Sequence, residues 1–233
     1  MEGTKYLEIG LKTDELHRRI GKGIPAGSFM VIEGENASGK SILAQRLLYG
    51  FLKNGNSVTY ISSELTTQDF LEQMASLGYN VASYLTEKKL LFVPVFPRIG
   101  RVVPRRDFIY RLMRAEALFR NQAVIIDTLD SLIIDKLTKK DIFSLVSFIK
   151  KVINMNKTII VTVSPCNMDE ETLKTLRSIA DIYFTIKMKE VGGSIKRVIN
   201  VYRFRGASMT VADTIGFRVE PKVGFVIEIS SVA

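Results

Sequence analysis

A single cysteine, Cys166, rules out an internal disulfide and any cysteine-rich metal site in these 233 residues. A single histidine, His17, has no second histidine and no cysteine beside it, so it is expected at the surface and not in a metal site. Nowhere do apolar residues run on to the ~18 that a membrane-spanning helix requires. Met1 to Gly10 holds no apolar stretch of signal-peptide length, and a soluble, cytoplasmic protein is expected. Linkers, internal repeats and low-complexity segments are missing too, which points to one domain over residues 1–233. No basic stripe is interleaved with aromatics in the way that stacks bases, so nucleic acid is not an expected partner.

What is present is a well-supplied core and a surplus of positive charge. Hydrophobic residues make up 46% of the chain, enough for one packed interior. Against 24 acidic residues stand 33 basic ones, a net charge of +9. That balance suits a polyanionic partner, whether nucleic acid, an acidic protein face or a membrane surface, and composition does not choose among them.

The chemistry concentrates in Gly34-Glu35-Asn36-Ala37-Ser38-Gly39-Lys40-Ser41, which fits G-x-x-x-x-G-K-[ST] without a gap. A triphosphate carries several charges on small oxygens, so backbone N–H groups must close around it. Gly34 and Gly39 allow that approach where a Cβ would collide. Lys40 offers a compact ammonium to the β- and γ-phosphates, and the Ser41 hydroxyl is placed to ligate Mg²⁺. Phe29-Met30-Val31-Ile32 before the loop has strand length. After it, Ile42, Leu43, Leu47, Leu48 and Phe51 share a helical stripe, with Gln45, Arg46 and Lys53 elsewhere. Strand, glycine-rich loop and helix is the order that phosphate binding requires.

Further strands are expected at Ser57–Ser62, Leu90–Val93, Ala123–Asp127 and Thr158–Val163, all unbroken apolar runs of the kind buried on both faces. Helices are expected at Thr13–Ile20, Thr66–Leu77 and Asp107–Arg120, and after the cap Thr138-Lys139-Lys140-Asp141. Pro94 to Arg106, with three prolines and four arginines, reads as a basic surface loop. Beyond Asp181 the grammar changes to a hairpin, Asp181–Lys189 with Ile195–Phe204, and two more short strands. The expected fold is an α/β core, a mostly parallel sheet flanked by helices, with a β-rich C-terminal end.

Asp127 closes the apolar run Ala123-Val124-Ile125-Ile126 as a carboxylate at a strand end, where it can hold the Mg²⁺–water shell opposite Ser41. Asp130 and Asp135 read as turn residues. Glu64, just past the second strand, is the candidate for orienting an attacking water, although an exposed loop glutamate would look the same. Arg203 and Arg205, two apart on a strand, could supply positive charge to a transferring phosphoryl group or simply be solvated.

These segments together resemble the RecA/KaiC-type ATPases: Gly23-Ile24-Pro25-Ala26-Gly27-Ser28, the phosphate loop, Tyr60-Ile61-Ser62-Ser63-Glu64, Asp127, Ile179-Ala180-Asp181 and Arg203-Phe204-Arg205-Gly206-Ala207. The resemblance covers nearly the whole chain. It implies a RecA-like fold binding ATP and Mg²⁺, with Glu64 as catalytic glutamate and Asp127 as the Walker B aspartate. It also implies a hexameric ring in which Arg203 and Arg205 reach the next subunit's nucleotide. Glu64 to Tyr79 is similar to the branch of that family serving the archaeal flagellum (archaellum) motor. A position beneath the motor ATPase, near its membrane platform and scaffold and peripheral to the inner face of the membrane, is implied. Leu65 stands where the family usually carries a second glutamate, which implies slow or no hydrolysis, and Arg203 replaces the usual lysine. A recombinase paralogue binding single-stranded DNA and an efficient KaiC-like ATPase are the alternatives. Against the first, no separate N-terminal DNA-binding domain is expected.

Overall fold

Strands whose apolar residues do not alternate with polar ones need cover on both faces, and the computed structural model supplies it. It describes residues 5–95, 108–133, 136–191 and 194–228. In chain order the elements are β1 (Tyr6–Glu8), α1 (Leu16–Arg19), β2 (Gly23–Pro25), β3 (Phe29–Gly34), α2 (Lys40–Lys53), β4 (Val58–Ser62), α3 (Thr67–Ser76), α4 (Ala82–Thr86) and β5 (Leu90–Pro94). There follow α5 (Phe108–Arg114), β6 (Ala123–Asp127), α6 (Lys139–Asn154), β7 (Thr158–Val163), α7 (Glu170–Ile179), β8 (Ile182–Val191), β9 (Ser194–Phe204), β10 (Thr214–Glu220) and β11 (Gly224–Glu228).

Nine strands form one sheet in the order β11-β10-β9-β8-β3-β7-β6-β4-β5. From β8 to β5 neighbouring strands run parallel, while β9, β10 and β11 add antiparallel strands on the other side. The β-rich end expected from sequence therefore extends the main sheet. Alternate residues of β3 show why its run is unbroken. Met30 and Ile32 pack with Leu43, Leu47 and Tyr60 on one face; Phe29 and Val31 pack with Leu145, Ile149 and Leu173 on the other. Each fully buried side chain of this size contributes roughly 1.5–3 kcal/mol.

Two helices open on the capping boxes their sequences encode. Thr66 accepts from Asp69 N–H and Thr138 from Asp141 N–H, each aspartate returning the bond to the cap's own N–H. The helix expected over Asp107–Arg120 is instead α5 and a separate 3-10 turn, Glu116–Phe119, which brings Phe119 edge-on against Phe148 at 4.9 Å. The first helix is a single turn, Leu16–Arg19, and its His17 is half-buried. Its Nδ1 finds no hydrogen-bond partner among the described residues, and burial, then the Arg46 charge, lowers its pKa. Most of the basic loop, and the Gly192-Gly193 turn, lie outside the described residues.

Of the polar residues off the stripe of α2, Lys53 is exposed but Gln45 and Arg46 are buried. Arg46 is wholly buried, donating through Nε (2.7 Å) and Nη2 (2.6 Å) to the Asp14 carboxylate and through Nη1 (2.7 Å) to the Ile9 carbonyl. This pair ties the N-terminal segment to the helix that follows the phosphate loop. Removing one partner strands a buried charge, so Arg46→Ala is expected to cost about 3–5 kcal/mol. The double replacement Arg46→Met with Asp14→Leu should cost clearly less; urea unfolding midpoints of the three proteins check this.

Candidate nucleotide-binding site

Close approach governs the loop between β3 and α2. A Cβ on Gly34 would stand 2.5 Å from Ser38 Oγ and 2.9 Å from the Ile186 carbonyl oxygen. Gly39 has φ +101°, and a Cβ there would meet the Phe217 ring at 3.0 Å. Lys40, 5% exposed, turns its ammonium into the loop and donates to the carbonyls of Gly34 (2.9 Å) and Glu35 (2.8 Å). Burial lowers its pKa, against the pull of Asp130, Asp127 and Glu64.

Parallel pairing then brings the carboxyl ends of β3, β7, β6 and β4 to one edge. At that edge Asp127 is 5% exposed. Its Oδ1 accepts from Thr162 Oγ1 at 2.6 Å and from Ser41 Oγ at 3.0 Å, and its Oδ2 from Tyr60 OH at 2.6 Å. Burial, then the Asp127 charge, pushes the Tyr60 hydroxyl well above its ordinary pKa, so it remains a donor.

Asp130, expected to be a turn residue, is 4% exposed and organises the floor of the site. It accepts from Ser164 N–H (2.9 Å) and Asn167 Nδ2 (3.2 Å), and the Ser164 hydroxyl lies 3.1 Å from Asn36 Oδ1. The turn after β6, the end of β7 and the phosphate loop are thus one network. Asp135 lies outside the described residues.

A cleft of about 460 Å³ opens over the loop, lined by Asn36, Lys40, Ser41, Glu64, Asp130 and Arg197 among others. Glu64 is exposed, on a turn fixed by the Ser62 hydroxyl, which accepts from the N–H groups of Glu64 (3.3 Å) and Leu65 (3.1 Å). Leu65 packs against the core. Arg197, a cation unforeseen from sequence, enters from β9 beside Gly39. Only its pairing opposite Met188 in the hairpin betrays it.

Arg203 and Arg205 stand at the other end of the sheet. Arg203 Nη1 donates to the carbonyls of Arg177 (2.9 Å), Ser178 (3.2 Å) and Ala180 (2.7 Å), closing the C-terminal end of α7. Arg205, just beyond β9, has a side chain 64% exposed and 3.6 Å from Asp181.

A family model described as the KaiC ATPase matches residues 9–229. The chain belongs to the KaiC ATPase family. Among relatives in the family is the archaeal flagellar ATP-binding protein FlaH of Methanocaldococcus jannaschii, 38% identical over 225 residues, 97% of each chain. FlaH of Methanococcus voltae is also 38% identical, covering 98% of this chain and all of that one. The crystal structure of the flagellar accessory protein FlaH from M. jannaschii superposes with a TM-score of 0.90, covering 97% of this chain and all of that chain, at 36% identity. Among the described residues no helix is long and apolar enough to cross a membrane.

The three hydroxyls on Asp127 offset the burial of its charge. Tyr60→Phe removes a fully buried one of them with little change of shape. It is expected to destabilise the fold by roughly 1.5–3 kcal/mol, read from denaturant unfolding at neutral pH.

Proposed function

We propose that the chain is a Mg·ATP-binding regulatory and assembly subunit of the archaellum motor, slow in hydrolysis, forming a nucleotide-dependent hexameric ring that contacts the motor ATPase. The observation that carries this reading is the Ser41 hydroxyl 3.0 Å from a buried, hydroxyl-bound Asp127, beside a loop whose Gly34 and Gly39 are packed too closely to admit a Cβ. The FlaH relatives, matched over nearly their full length, support the archaellum assignment. Contacts to the membrane platform or scaffold, at the cytoplasmic face of the membrane, belong to the same reading.

The donors suit a hard cation. Ser41 Oγ and Asp127, with its water shell, would hold Mg²⁺, and no group of three or more metal-binding side chains occurs among the described residues, so phosphate oxygens and water complete the set. When bound, the ion neutralises phosphate charge. The Lys40 ammonium, now on two loop carbonyls, transfers to the β- and γ-phosphates. Arg197 adds a second cation from the same chain. Glu64 faces the cleft to orient a water, while Leu65, turned to the core, offers no second carboxylate, so binding outpaces chemistry. Arg203 and Arg205 are the proposed contacts to a neighbour's nucleotide; Arg205 is the more exposed of the two, since Arg203 is engaged on α7.

Lys40→Ala should weaken ATP binding by roughly 30- to 1,000-fold, about 2–4 kcal/mol. Calorimetry finding an unchanged affinity would overturn the nucleotide assignment.

Turnover of the wild-type protein is expected well below ~1 s⁻¹, the lower end for enzymes. Glu64→Gln should remove the remainder and hold the ATP-dependent assembly, followed by light scattering alongside phosphate release. Several turnovers per second would replace the regulatory reading with that of an efficient ATPase, and equal mass with and without ATP would remove the ring.

A further inference from the structure

Beside the phosphate loop lies a second recess, of about 260 Å³, which shares no lining residue with the nucleotide cleft. Ser38, Thr185, Lys187, Met188, Pro165 and Glu35 are among its walls. Ser38 is 1% and Thr185 9% exposed, yet neither hydroxyl oxygen has a hydrogen-bond partner among the described residues. Two buried hydroxyls without partners are costly in a folded protein and call for a polar group from outside.

The face that leads out of this recess is cationic. Side chains alternate along β8, so Thr185, Lys187 and Lys189 share one face, and Lys196 of β9 stands directly opposite Lys189. Like charges in such a pair repel and weaken the hairpin. Lys187 and Lys189 are exposed, and none of the three lysines forms an ion pair among the described residues. Glu190, the hairpin's own carboxylate, pairs with Ile195 on the opposite face and does not relieve them.

We propose that this face and recess are a docking site for an acidic segment of another protein, whose carboxylates meet Lys187, Lys189 and Lys196 while one side chain enters the recess and bonds the Ser38 and Thr185 hydroxyls. Charge complementarity selects an anionic partner, and the recess selects a polypeptide. Its walls include Glu33 and Glu35 as well as Lys187, and apolar Pro165, Ile186 and Met188. A uniform polyanion would be repelled by those glutamates, and a flat bilayer would leave the hydroxyls unmet. Ser38 and Gly34 belong to the phosphate loop, so an occupant would touch that loop directly. None of the residues of this site lines the nucleotide cleft, so the site stands or falls separately from the nucleotide reading.

The test uses the full chain and a fluorescent twelve-residue peptide of alternating Glu and Ala, followed by anisotropy at 0.1 M salt. A single-stranded oligonucleotide of matched charge and phosphatidylglycerol vesicles run in parallel. Reversing Lys187, Lys189 and Lys196 together to Glu should weaken the peptide at least tenfold, with ATP affinity unchanged. The same charge change at Lys140, Lys150 and Lys151, exposed on α6, should leave peptide binding within twofold. Thr185→Val, which alters no charge, should weaken it several-fold. Equal loss in both triple variants, or no effect of Thr185→Val, overturns the site. So does stronger, hairpin-dependent binding of the oligonucleotide or the vesicles than of the peptide.

Discussion

A carboxylate kept almost out of water at the tip of a central strand sets the terms for the rest of this structure. Three hydroxyls, from Tyr60, Thr162 and Ser41, donate to the Asp127 carboxylate within 3.0 Å. Those donors come from β4, β7 and α2, and only the parallel order β3-β7-β6-β4 brings them together. A one-residue slip of any of these strands would turn its side chains to the opposite faces and leave the buried charge short of a donor. The polar site therefore constrains strand register as firmly as the apolar residues do.

The phosphate loop inherits that rigidity. Ser41 opens α2 and is tied to Asp127, while Arg46, further along the same helix, is locked to Asp14 and the Ile9 carbonyl. Asn36 is joined through Ser164 to Asp130 on the other side. With helix and loop both anchored, the ionic groups that line the cleft include the Lys40 ammonium, Glu64 and Arg197. In the proposed reading, exchanging loop carbonyls for phosphate oxygens on Lys40 would need little rearrangement of backbone.

How much of this was legible in the sequence follows from the range of each interaction. The phosphate loop is contiguous, and its chemistry admits few residue types, so Gly34 to Ser41 could be read directly. The buried strands were legible as unbroken apolar runs, and the helix starts at Thr66 and Thr138 as capping boxes within four residues. Arg46 was not. It lies off the apolar stripe of α2, and its partner is 32 residues away. Asp130 looks like any turn aspartate until Ser164, 34 residues on, is folded against it. Tyr60 and Thr162 read as strand residues because nothing local shows that their hydroxyls converge on one carboxylate. Arg197 enters the cleft only because the C-terminal hairpin pairs onto β3 through β8.

That pairing has a mechanical consequence. β8 lies beside β3 only as far as Gly34↔Ile186, and from Lys187 onward the hairpin runs past the end of the parallel sheet. One face of the extension sends Arg197 to the nucleotide cleft; the other carries Lys187 at the recess beside the phosphate loop. The same two strands thus border both sides of a loop whose glycines leave no slack: Ser38 Oγ and the Ile186 carbonyl crowd Gly34, and Phe217 crowds Gly39. A group filling the recess would touch the exposed Lys187 and Met188 side chains and also Ser38, which crowds Gly34. Close packing around Gly34 therefore joins the recess directly to the loop that is proposed to hold phosphate.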